Sequence, residues 1–84
     1  MYAVVQYNNY DFDCSVDLFT NSFLEAQEFM RRKWKEFLEI EKTESSILLN
    51  EEWCRCNEDC AMINYLNDDY IIWSITEKTE VHND

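Results

Sequence analysis

The chain has no glycine and no proline among its 84 residues. The missing glycine excludes glycine-rich phosphate loops, the dinucleotide fingerprint and glycine-flanked nucleophile elbows. Any turn with a positive φ must use Asn or Asp, the next most tolerant residues. Asn8-Asn9, Asn50, Asn57 and Asn67-Asp68 are the candidates, and few tight turns are implied. Cations are scarce too: seven Lys and Arg face eighteen Asp and Glu, a net charge of −11. Four of the seven, Arg31, Arg32, Lys33 and Lys35, sit together. No apolar run approaches the roughly 20 residues that span a bilayer. The start, MYAVVQYNNYDF, lacks the basic region and long apolar stretch of a secretory signal. The expected compartment is the cytoplasm, where thiols stay reduced.

What is present is enough for a packed core: 46% hydrophobic residues, with five Phe, five Tyr and three Trp. A chain this short is expected to form one domain over 1–84, burying only about 60% of its unfolded surface.

Residues 2–20 read as a hairpin. YAVVQYN is β-branched and aromatic, with Ala3, Val5 and Tyr7 sharing a face. YDFDCSVDLFT alternates, predicting Phe12, Cys14, Val16 and Leu18 inward and Asp11, Asp13, Ser15 and Asp17 outward. Ser22-Phe23-Leu24-Glu25 is a capping-box pattern opening a helix over 22–41. Phe23, Ala26, Met30, Trp34, Phe37 and Leu38 form its apolar stripe. The segment 43–59 reads as a connection holding a short second helix that packs Leu48, Leu49 and Trp53. Residues 60–77 form a second hairpin across Asn67-Asp68-Asp69, with Ile71, Trp73 and Ile75 toward the helix beside Ala61, Ile63 and Tyr65. Residues 78–84 are a tail. AVVQYNNYDF also resembles AMINYLNDDY in pattern. The predicted fold is α+β: a two-layer ββαββ arrangement, an antiparallel sheet packed on one long helix.

Catalytic and metal chemistry find little footing. Cys54, Cys56 and Cys60 in WCRCNEDC lack the ligand spacing of a zinc knuckle. Glu51, Glu52, Glu58 and Asp59 surround them and disfavour a reactive thiolate. Cys14 reads as a packed thiol, and His82, the sole histidine, lies in the tail. No base–nucleophile pair is recognisable. The expectation is therefore no enzyme, no metal and no cofactor. RRKWK suggests nucleic-acid contact, but Trp34 belongs to the core stripe. Glu28–Arg32 and Lys35–Glu39 have the spacing of helical ion pairs, and −11 opposes a polyanion.

The acids carry the functional reading. Alternate strand residues are about 6.7 Å apart, while DNA phosphates recur roughly every 3.4 Å of axis on each strand. Asp11, Asp13 and Asp17 can thus match every second phosphate. Asp68-Asp69 and the group Glu51, Glu52, Glu58 and Asp59 add further clusters. Asp disfavours strands, so three in one strand suggest binding rather than mere solubility.

In size, charge and the acid rows DFDCSVD, EEW…NED and NDD, the chain resembles the small acidic proteins that phages and mobile elements encode against host defence, the anti-CRISPR and anti-restriction nucleic-acid mimics. The resemblance implies a non-enzymatic inhibitor, in the host cytoplasm, that blocks the DNA or RNA site of a basic nucleic-acid-binding protein such as a CRISPR effector. The acidic surface is itself expected to repel nucleic acid and anionic membranes, so no direct contact with either is expected. Tyr10, Tyr70 and Trp53 are the expected aromatic anchors. The alternative is an interaction module that dimerises or docks through an outer sheet face bearing Tyr2, Val4, Met62 and Ile72; a monomer and a homodimer both fit.

Overall fold

A computed structural model describes residues 1–44 and 49–77. Strands β1 (Tyr2–Asn8) and β2 (Asp13–Thr20) form the first hairpin, followed by helix α1 (Phe23–Glu44). A 3-10 turn at Glu51–Trp53 leads into β3 (Arg55–Cys56), β4 (Cys60–Asn64) and β5 (Tyr70–Glu77). The five strands form one sheet in the order β2-β1-β5-β4-β3, with every pairing antiparallel. The α+β expectation holds: α1 packs on one face of this sheet. None of the described helices is long and apolar enough to cross a membrane.

The core is Val4, Ala26, Met30, Ala61, Ile63, Tyr65, Ile71 and Trp73. The predicted stripe supplies Ala26 and Met30, with Trp34, Phe37 and Leu38 packed beside them. Phe37 meets Trp73 edge-on at 5.5 Å between ring centroids, a preferred aromatic geometry. The Trp34 indole Nε1 donates to the Met62 carbonyl at 2.9 Å, pinning the helix to β4.

At the helix start, Ser22 Oγ accepts from the Glu25 N–H at 3.2 Å, as a capping box requires. The return bond is relayed. Thr20 Oγ1 accepts from the Ser22 N–H and donates to the Glu25 carboxylate. The helix continues to Glu44, three residues past its expected end. The predicted Glu28–Arg32 and Lys35–Glu39 pairs do not form among the described residues; Arg32 and Lys33 lie over the Phe29 ring, at 5.4 and 5.7 Å from its centroid.

Several expectations for the strands are overturned. On β1, Ala3, Val5 and Tyr7 share a face as expected, but it is the outer one; Val4, expected on the outer face, is fully buried toward the helix. Tyr2 also points to the helix side, where its ring meets Phe23 at 5.3 Å. β1 is a central strand with apolar residues at both parities, so its pattern could not tell one face from the other. On β2, Val4 pairs with Leu18 but Val5 pairs with Val16, leaving Asp17 as an extra residue in a bulge. A bulge reverses facing along the rest of the strand. Leu18 therefore packs on the core, whereas Cys14 and Val16 are exposed on the opposite face. Phe12 is 81% exposed and lies in the turn, not the strand.

Among the described residues of the 43–59 segment, the 3-10 turn Glu51–Trp53 and the short strand β3 stand in place of the expected second helix. Leu49 bridges to Tyr65 and packs on the core, Trp53 is 52% exposed, and Leu48 lies outside the described residues, as does the expected tail 78–84. The resemblance between the two hairpin sequences matches β1 to β4, the two neighbours of β5. Their faces differ: Ala3 pairs with Thr76, and Ala61 with Trp73.

Candidate functional site

The two long hairpins turn at the same end of the sheet, because Asn8 and Asn64 both lie beside the start of β5. The first turn is opened by buried Asn8, whose Oδ1 accepts from the Asp11 N–H at 2.9 Å. Phe12 closes it with φ of 51°. The second turn carries Asp68 at φ of 71°. Asn67 Oδ1 accepts from the Asp69 N–H, and Asn67 Nδ2 donates to the Asp69 carboxylate.

Asn9 laces the two turns together. Its Oδ1 accepts from the Tyr70 N–H at 2.7 Å, and its Nδ2 donates to the Asp68 carbonyl at 3.2 Å. Asp11 and Asp13 are thereby held beside Asp68 and Asp69, although they are more than fifty residues apart in sequence. The C-terminal part of α1 reaches the same end and adds Glu41. Tyr10, Glu41, Tyr65 and Asp69 line an open cavity of about 270 Å³.

The electrostatics of this pocket are uniformly negative. Burial, then the charges of Asp11, Glu41, Asp69 and Asp13, raise the Tyr10 hydroxyl above its ordinary value. Tyr65, buried, is raised by burial first and then by the facing Glu41 charge. The Lys42–Glu51 ion pair, 3.8 Å between exposed groups, involves none of these residues. Among the described residues, Asp11, Asp13, Asp68, Asp69 and Glu41 thus have no cationic partner. An unpaired carboxylate cluster against tyrosine rings favours a guanidinium or ammonium ligand, through charge and cation–π attraction together.

The comparisons with known proteins add no name. No protein-family model, curated protein or solved structure matches the chain.

The other expected binding residues are dispersed. Asp17 sits at the bulge of the edge strand and accepts from Ser15 Oγ at 2.9 Å. Asp11 occupies the turn, so Asp11, Asp13 and Asp17 make no straight, evenly spaced row. Glu58 and Asp59 lie at the opposite end of the sheet, where they and Glu77 line a second cavity with Tyr2, Phe23 and Ile75. Glu51 and Glu52 begin the 3-10 turn. Trp53 carries the Arg55 guanidinium over its ring at 5.2 Å. Tyr70 leans on Tyr7 across the outer face, 6.1 Å between centroids.

The thiols have structural neighbours. Cys54 Sγ lies 3.4 Å from the Asn50 carbonyl and 3.6 Å from that of Asn64, fastening the 3-10 turn to β4. Burial pushes the Cys60 thiol up, and the charges of Asp59 and Cys56 add to it. Cys14 is exposed on β2 rather than packed. Among the described residues no group of three His, Cys, Asp or Glu side chains is placed to hold a metal.

Sequence reading missed Glu41, Tyr65 and Asn9 as parts of the site. Glu41 had a signal: it follows Phe37 and Leu38 on the same helical face. An acid on an apolar stripe marks a place where that face leaves the core.

Proposed function

We propose that the chain is a non-enzymatic inhibitor that binds a basic, nucleic-acid-binding protein and occupies its DNA or RNA site. The observation that carries this reading is the laced acidic end, where the charges of Asp11, Glu41, Asp69 and Asp13 act on Tyr10 beside Tyr65, with Asp68 in the adjoining turn and no cation paired to them among the described residues. The pocket receives a Lys or Arg side chain of the partner, and the carboxylates around it meet neighbouring cations that otherwise contact phosphates. Charge complementarity of this kind gives fast, salt-sensitive association. The mimicry is of local charge density at one end, not of a regular phosphate row along β2. A cytoplasmic setting fits such a partner.

The test is affinity capture from host lysate at low and high salt, identifying the eluted proteins by mass spectrometry. Nucleic-acid-binding proteins should be retained at low salt and released at high salt. The triple reversal Asp11→Lys, Asp68→Lys, Asp69→Lys should abolish their capture, while Glu58→Lys with Asp59→Lys, at the far end, should leave it. Undiminished capture by the folded triple variant would refute the assignment.

A further inference from the structure

The face of the sheet opposite α1 is covered by no described element. It is continuous across four strands: Met62 pairs with Ile72, Ile72 with Tyr7, and Tyr7 with Cys14. Beside that row Val5 pairs with Val16, and Ala3 with Phe19. Val16 is 50% exposed and Phe19 is 56% exposed.

This face also lacks charge. The bulge at Asp17 turns Asp13 and Ser15 to the helix side of β2, so none of the four long strands places a carboxylate or a cation here. Arg55, on the two-residue strand β3, pairs with Met62 at its border. Eighteen acids in 84 residues make such a neutral expanse unusual. Isolated apolar surface residues need no explanation, but a contiguous patch of several hundred Å² marks an interface.

We infer that this face is a two-fold interface between two copies of the chain. Size and charge both point to a second copy. Four strands spaced about 4.8 Å apart and about 25 Å long give a footprint of about 500 Å² before side-chain relief. That is the order required for the roughly 800 Å² of accessible surface that each partner buries in a stable complex. Two molecules at −11 repel, and this face is the one on which they can meet without bringing carboxylates together. Sheets packed in this way enclose a layer about 10 Å thick, filled here by Val5, Tyr7, Val16, Met62 and Ile72 from both copies. The acidic ends stay at the perimeter, so the dimer presents two of them.

The experiment is mass measurement by light scattering at micromolar concentration, at low and high salt. The wild-type chain should show twice the mass of one chain, and salt should preserve or strengthen the association. Val16→Asp and Ile72→Asp, singly and together, should halve the mass while circular dichroism is unchanged. Alkylation of Cys14, which lies on this face, should slow as concentration rises. Val16 is half exposed, so Val16→Asp tests the contact even if Ile72→Asp fails to fold. A monomeric wild-type chain would overturn the inference, as would a dimer that survives both folded substitutions. A dimer dissociated by salt would also do so, because its contact would then be electrostatic.

Discussion

Tyr65 shows how one side chain joins core and site. Its ring is buried against the core, while the residue also lines the acidic pocket beside Glu41. Both burial and the facing carboxylate favour the neutral phenol. The folded chain therefore holds this proton more tightly than the unfolded chain does. The resulting stability is fully present below the ordinary tyrosine value of about 10 and is lost as pH rises through the higher folded value. The midpoint of thermal unfolding should fall above pH ~10, and Tyr65→Phe should flatten most of that fall, Tyr10 and Cys60 contributing the rest. An unchanged alkaline fall in Tyr65→Phe would assign the titration to another group. Neither Tyr65 nor Glu41 was legible as a site residue in the sequence, because the pocket depends on where the end of α1 meets the second turn. Asn9 was legible as a turn residue but not as the link between turns, a long-range contact that local propensity does not encode.

The elements themselves were largely readable. Strand and helix periodicities located both hairpins and α1, and Ile71, Trp73, Ala61 and Ile63 face the helix as their spacing predicts. What failed was facing on β1 and β2, for two physical reasons. A central strand with apolar side chains at both parities leaves its face undetermined, and a one-residue bulge inverts an otherwise regular alternation. Turns without glycine carry a cost that can be measured. Phe12 adopts φ of 51° although it is bulky and exposed. A left-handed conformation costs an L-residue roughly 1–2 kcal/mol, whereas glycine avoids this at an entropic cost of about 0.5–1 kcal/mol. Phe12→Gly should therefore raise unfolding stability by about 0.5–1 kcal/mol, measured by urea denaturation. A loss of stability would show that the Phe12 ring contributes packing that outweighs its backbone strain.

For the whole molecule, the dominant quantity is uncompensated negative charge. The Lys42–Glu51 ion pair is exposed at both ends, and exposed pairs of that kind contribute little. Crowded carboxylates repel one another in the folded chain more than in the expanded one. Added sodium chloride shortens the screening length from about 30 Å at 0.01 M to about 3 Å at 1 M. The melting temperature should therefore rise with salt, in the same range over which capture of a basic partner weakens. A melting temperature independent of salt would mean that the acids are too far apart to strain the fold.

The margins of the sheet have a consequence of their own. One edge strand, β3, is only two residues long, and the other, β2, carries a bulge at Asp17 with Asp13 further along. Short, kinked and acidic borders are poor templates for further strands. Sideways addition of molecule after molecule is therefore blocked, and growth into filaments is closed off even when the protein is concentrated.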